Sequence, residues 1–115
     1  MTSENQLQQL ILKTLGSYPN YRIFRNNVGR TELKDGRFIQ FGLCAGSSDL
    51  IGLQKIKITK DMVGKDFARF IAIEVKSEKG KLSREQTSFI EMVKSMGGIA
   101  VVINDIDDIK KITDK

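Results

Sequence analysis

The sequence predicts an α/β fold, a mixed β-sheet flanked by helices in the order α-β-β-β-β-α-β-α. Three observations carry that prediction. Apolar residues recur at helical spacing in two stretches, near the start and after Ser83. Short β-prone segments bounded by turn residues fill the interval between them. A continuous apolar run, "IAVVI", follows the second helix, so residues 69 to 103 read as a strand–helix–strand unit with a right-handed parallel crossover.

The elements follow in order. Ser3 N-caps the first helix and Gln6, three residues on, completes a capping box. Leu7, Leu10, Ile11 and Leu15 mark its apolar face, Gly16 its stop, and Pro19 a firm break. "YRIFRN" and "RFIQFGL" are β-prone. Between them Asp35-Gly36 signals a hairpin, as in a type I′ turn whose two central residues need positive φ. "CAGSS" is a loop of small residues leading to Asp49. Residues 50–58, "LIGLQKIKI", read as a strand, and so do residues 69–76, a long and largely buried one. "EKGK" is a polar loop. Ser83 caps the second long helix, with Phe89, Ile90, Val93 and Met96 on its apolar face and Gly97-Gly98 at its end. Ile106, Ile109 and Ile112 give the tail the spacing of a short amphipathic helix. No linker or internal repeat interrupts the 115 residues, which fit one domain, 1–115.

Composition narrows the chemistry. There is no histidine, which removes Ser–His–Asp hydrolysis, histidine-ligated zinc and histidine-based nuclease chemistry together. The one cysteine, Cys44, has no partner for an internal disulfide and no histidine to activate it, so it reads as a small loop residue in a reduced, cytoplasmic setting. No apolar run approaches the roughly 20 residues of a membrane span, and "MTSENQLQQL" lacks the basic start of a signal peptide. A net charge of +5 and a pI near 9.4 favour a polyanionic partner such as nucleic acid.

What remains for hydrolysis is carboxylate, lysine and a hard metal ion. Side chains alternate across a strand, so Glu74 and Lys76 point to one face while Ile73 and Val75 point to the other. If strands 50–58 and 69–76 pair antiparallel, Asp49 at the start of the first meets Glu74 at the end of the second. Two converging carboxylates repel unless a proton or cation lies between them, and all-oxygen coordination suits Mg²⁺ or Mn²⁺. The peptide carbonyl of Val75 adds a neutral oxygen. Such a site supports metal-assisted phosphodiester hydrolysis, with Lys76 orienting the attacking water and offsetting phosphoryl charge. The Glu-x-Lys pattern alone is common: Glu32-Leu33-Lys34 and Asp108-Ile109-Lys110 share it and read as solvated charge. An ion pair worth about 0–1 kcal/mol is the competing reading of Glu74 and Lys76.

Taken together, "GSSDLIGL" and "FIAIEVKSEKGKLSREQTSFIEMVKSMGGIAVVI" resemble the VRR-Nuc (virus-type replication-repair nuclease) family of the PD-(D/E)XK superfamily. "SENQLQQLILKTL" and "RNNVGR" resemble its first helix and strand, so nearly the whole chain is covered. The resemblance implies a restriction-endonuclease-like fold, metal ligation by Asp49 and Glu74, and catalytic roles for Lys76, for Gln86 of the second helix and for Glu4 of the first. Ser48 stands where the superfamily motif usually has proline. Compact members of the family resemble virus-encoded homodimers that cut branched DNA such as four-way (Holliday) junctions, which implies a phage-infected or bacterial cytoplasm. Longer members carry the domain in flap-cutting repair enzymes. Flap- or single-strand-directed cleavage, and a non-catalytic DNA-binding module on a nuclease fold, are the alternatives.

Two of these residues have structural readings of their own. Gln86 stands three residues after Ser83 and can close a capping box, and Glu4 lies where a carboxylate favours the positive end of a helix. Arg25, Asn26, Asn27, Arg30 and Lys34 surround the first hairpin as candidate phosphate contacts, with Ser48 beside the metal ligand. Lys79, Lys81 and Arg84 sit at the entrance to the second helix, whose free N–H groups also attract anions. No base-reading motif is present, so recognition by DNA shape is expected.

Overall fold

The computed structural model describes residues 3–77 and 79–114; Glu78 of the expected polar loop lies outside them. The elements are α1 (Glu4–Gly16), β1 (Tyr21–Arg25), β2 (Gly29–Glu32), β3 (Phe38–Phe41), β4 (Leu50–Gln54), β5 (Ile71–Val75), α2 (Arg84–Ser95), β6 (Ile99–Ile103) and α3 (Lys110–Thr113). Single 3-10 turns span Lys60–Met62 and Ile106–Ile109. The α/β class holds, with one strand more before α2 than the sequence suggested. The strands form three two-stranded ladders, β1 with β4, β2 with β3 and β5 with β6, within two compact units, Met1–Gln54 and Lys55–Lys115.

In the first unit, α1 starts with the expected capping box: Gln6 N–H donates to Ser3 Oγ at 3.1 Å and Ser3 N–H to Gln6 Oε1 at 3.0 Å. Its end differs from expectation. Gly16 remains helical, and the cap is Ser17, in right-handed geometry, whose hydroxyl donates to Thr14 O at 2.7 Å before Pro19 forbids continuation. The apolar stripe of α1 is mostly open, with Leu7, Leu10 and Ile11 exposed and Leu15 partly covered.

The Asp35-Gly36 hairpin forms, but its partners are β2 and β3 and its turn is not type I′. No residue other than glycine has positive φ among those described, so Asp35 cannot take a central I′ position. Instead Gly36 N–H donates to Leu33 O at 3.0 Å, Gly36 itself has φ +87°, and Leu33 N–H donates to Arg37 O. This is the three-residue loop in which a turn is followed by a left-handed glycine. The Asp35 carboxylate accepts from the N–H and Nε of Arg37.

The expected antiparallel ladder between residues 50–58 and 69–76 is not among those formed by the described residues. β4 runs antiparallel to β1 instead, from Arg25–Leu50 to Tyr21–Gln54, and it ends at Gln54 rather than 58. Beyond Tyr21 the facing chain reaches Asn20 and Pro19, and proline has no N–H to continue the ladder.

The second unit is the strand–helix–strand unit that the sequence predicts. β5 and β6 pair in parallel with Ile71 opposite Ile99 and Val75 opposite Ile103, and α2 crosses over between them. Val93 is fully buried, with Ile90 and Ala100 beside it and Ala72, Leu82, Met92 and Val102 packed around. α2 ends as expected: Gly97, at φ +93°, supplies the left-handed turn. β5 is less buried than expected. Ala72 and Glu74 turn inward, whereas Ile71, Ile73 and Val75 form an exposed row on the other face. Period-2 alternation therefore splits the strand into one covered face and one open one.

Candidate active site

The end of β5 is built by α2. The capping box at its start is complete: Gln86 N–H donates to Ser83 Oγ at 3.1 Å, and Ser83 N–H donates to Gln86 Oε1 at 2.9 Å. With its oxygen committed to the cap, the Gln86 amide nitrogen has one direction left. Nε2 donates to Glu74 Oε1 at 2.7 Å. Capping and carboxylate binding are therefore one device: the capping reading of Gln86 holds, and the same side chain also holds Glu74.

Lys76 lies on the same face, with Nζ 3.6 Å from the same Oε1. The side chains of Lys76 and Glu74 are 21% and 31% exposed, partly desolvated but open to a ligand. Both contacts fall on Oε1, so Oε2 is the oxygen left to meet one. Glu74 and Glu85, with Phe70, Ala72, Gln86 and Phe89, line a groove of about 420 Å³. A groove with two carboxylates repels a bare phosphate, so an anionic substrate there needs a cation as company.

The backbone beyond Lys76 is anchored as well. Lys76 N–H donates to Ile103 O at 3.0 Å, one step past the β5–β6 ladder. Asn104 Nδ2 reaches Ser77 O at 3.3 Å and Lys76 O at 3.5 Å. Asn104 is fixed in turn by Asp108, whose Oδ2 accepts from Asn104 N–H at 2.9 Å. Asp108, read from sequence as solvated charge, thus closes the turn behind Lys76, and its carboxyl is held below the ordinary range. The Asn104 N–H bond is the chief cause, burial opposes it, and the Asp105 N–H and Lys111 add to the lowering.

In the first unit, Asp49 is exposed and directly precedes β4. The loop before it is a tight turn: Ser47 N–H donates to Cys44 O at 3.0 Å with Gly46 at φ +81° in the third position, as in a type II turn. Behind the loop lies Asn26, the buried polar residue of this unit, 7% exposed. Its side-chain polar atoms are engaged within the protein. Its Nδ2 donates to Ser47 Oγ at 2.7 Å and Ser48 O at 2.9 Å, and its Oδ1 accepts from Leu43 N–H at 2.8 Å.

The other expected residues are exposed. Glu4 occupies the first turn of α1. Arg25 donates to Gln8 Oε1 at 3.1 Å, and Arg30 lies 4.0 Å above the Phe38 ring as a cation–π pair. Asn27 lies between β1 and β2, Ser48 directly follows the Cys44–Ser47 turn, and Lys79, Lys81 and Arg84 lie around the start of α2. The roles of Asn104 and of Asn26 inside the fold are not legible in the sequence. Nothing in "RNN" distinguishes Asn26 from Asn27, because the difference is burial.

Glu74 Oε2 and the Val75 carbonyl are oxygens, the donor type that a hard cation takes, and the chain has no imidazole; among the described residues no group of three or more His, Cys, Asp or Glu side chains is placed to hold a metal ion. Among the described residues no helix is long and apolar enough to cross a membrane. The sequence model of the VRR-NUC domain matches residues 2–105. No curated protein and no solved structure matches the chain.

Proposed function

The chain belongs to the VRR-NUC domain family, nucleases of the PD-(D/E)XK type, and from that premise we propose a metal-dependent endodeoxyribonuclease that hydrolyses phosphodiesters in branched DNA, four-way junctions above all, as a homodimer. The observation that carries the catalytic reading is the Gln86–Glu74–Lys76 cluster at the end of β5. An ordinary surface ion pair has no use for a third residue that holds the carboxylate by one oxygen.

In this reading Asp49, Glu74 and the Val75 carbonyl hold Mg²⁺ or Mn²⁺. A cation bound there supplies Lewis-acid polarisation of the phosphoryl group and a water of lowered pKa. The chain's own residues do the rest. Gln86 keeps Glu74 oriented so that Oε2 faces the ligand. Lys76 donates to the attacking water and to the phosphoryl oxygens, where its charge offsets the negative charge that builds at the transition state. Lys79, Lys81 and Arg84, with the free N–H groups of the first turn of α2, draw the DNA backbone to the groove. Arg25, Asn27, Arg30 and Ser48 contact further phosphates, and Glu4 assists from α1.

Two symmetric cuts in a junction need two sites related by a two-fold axis, which supports a dimer. The exposed apolar residues of α1 and of the isoleucine-rich tail are two candidate surfaces for it. The test is cleavage of labelled four-way junction, flap, single strand and linear duplex with Mn²⁺, Mg²⁺ or chelator, with Glu74→Gln as the inactive control. Paired cuts near the branch are expected. Cation-independent binding without cleavage of any substrate would overturn the enzyme reading.

A further inference from the structure

The Asn26 side chain makes three hydrogen bonds, and all of them serve one loop. Its two amide hydrogens go to Ser47 Oγ and Ser48 O, and its oxygen takes the N–H of Leu43. Its backbone N–H donates to the carbonyl of Asp49 at 2.8 Å, one step past the Arg25–Leu50 pair of the β1–β4 ladder. The side chain thus grips residue 43 at one end of the loop and residues 47 and 48 at the other, and the main chain grips residue 49. The amide orientation follows from the partners. Leu43 N–H is a donor and Ser48 O an acceptor, so a flipped amide would set donor against donor and acceptor against acceptor.

We propose that Asn26 is the positioning residue for Asp49: by closing the 43–49 loop from behind, it holds the Asp49 backbone, and with it the carboxylate, in a single orientation. The inference rests on the reading of Asp49 as a metal ligand. Asp49 itself is exposed and projects from a loop of small residues that would otherwise sample many conformations. A ligand already ordered loses little further freedom when the cation arrives, so the supporting hydrogen bonds set affinity although they never touch the metal. Glu74, fixed by Gln86, is served in the same way in the second unit.

The experiment measures Mn²⁺ affinity by the electron-paramagnetic signal of the free ion, junction cleavage and thermal unfolding for the full chain, Asn26→Ala and Asn26→Asp. Val93→Ala, a core change in the other unit, is the control for lost stability. Asn26→Ala should lower Mn²⁺ affinity and kcat by about 10–100-fold with KM for DNA unchanged, while Val93→Ala keeps both despite a lower melting temperature. Asn26→Asp retains an acceptor for Leu43 N–H, which favours folding, but loses the amide donors when ionised. Its added negative charge would by itself attract Mn²⁺ more strongly, so a fall in affinity reports geometry. Wild-type affinity and kcat in Asn26→Ala, or an equal loss in Val93→Ala, would overturn the proposal. A wild-type chain that neither binds Mn²⁺ nor cuts DNA would instead overturn the nuclease reading, and this role with it.

Discussion

Gln86 Nε2 donates a hydrogen bond of 2.7 Å to Glu74 Oε1, from a side chain whose oxygen is already taken by the N–H of Ser83. The first turn of a helix and the end of a strand are joined through one amide. Helix start and carboxylate orientation are therefore coupled, and substitutions at Gln86 can separate the two.

Gln86→Glu preserves the capping box, since glutamate serves as well as glutamine at that position, but sets a second carboxylate against Glu74. Stability should fall at low ionic strength through carboxylate repulsion and recover part of the loss as salt screens it, while cleavage falls sharply in either condition. Gln86→Ala should lose both, with about 0.5–2 kcal/mol of stability from the missing cap. Melting curves and cleavage rates on the same preparations check the separation. Full activity in Gln86→Glu would show that Gln86 only caps.

Lys76→Ala should reduce kcat by about 10²–10⁴-fold, the range for a lost proton-handling or charge-offsetting group, while Mn²⁺ binding persists. Asp49→Asn and Glu74→Gln should abolish cleavage and weaken Mn²⁺ binding, yet leave binding to a junction largely intact. Calorimetric Mn²⁺ titration and gel-shift measurement distinguish the two patterns. A Lys76→Ala protein with normal turnover would remove lysine from the mechanism.

Gly97 and Gly98 are adjacent but indispensable for different reasons. Around Gly97 there is open space, yet its φ of +93° is disfavoured for a side chain. Around Gly98 an added Cβ would lie 2.8 Å from Val93 Cγ1 and 2.9 Å from Phe70 O. Alanine should cost about 1–2 kcal/mol at Gly97 and about 1–3 kcal/mol at Gly98. Asparagine, which tolerates left-handed geometry, should recover part of the loss at Gly97 and none at Gly98. Urea denaturation of the four variants tests this.

Asp108 should make stability depend on acid. Its carboxyl is held below the ordinary 3.8, chiefly by the Asn104 N–H. A depressed carboxyl contributes its stabilisation above the unfolded-state value and loses it as pH falls through the lower folded-state value. Asp108→Asn should therefore be less stable than wild type at neutral pH, and the difference should vanish in strong acid. Chemical denaturation at a series of pH values reads the difference directly.

Local physics made much of this chain legible in one dimension. Both capping boxes, the Gly97 stop, the strand–helix–strand unit and the common face of Glu74 and Lys76 depend on residues close in sequence, where periodicity and hydrogen-bonding chemistry suffice. The Asp35-Gly36 turn was visible but its type was not, because the same dipeptide serves a two-residue and a three-residue loop. Strand partners were not legible either. β4 could satisfy its backbone groups against several β-prone segments, and the choice of β1, ending where Pro19 removes a donor, is a matter of long-range pairing. The identities of Asp49, Glu74 and Lys76 as candidate residues were apparent from residue type and spacing. The grip of Gln86 on Glu74 and the burial of Asn26 but not Asn27 were not, because burial and cross-element hydrogen bonds exist only once the chain has folded.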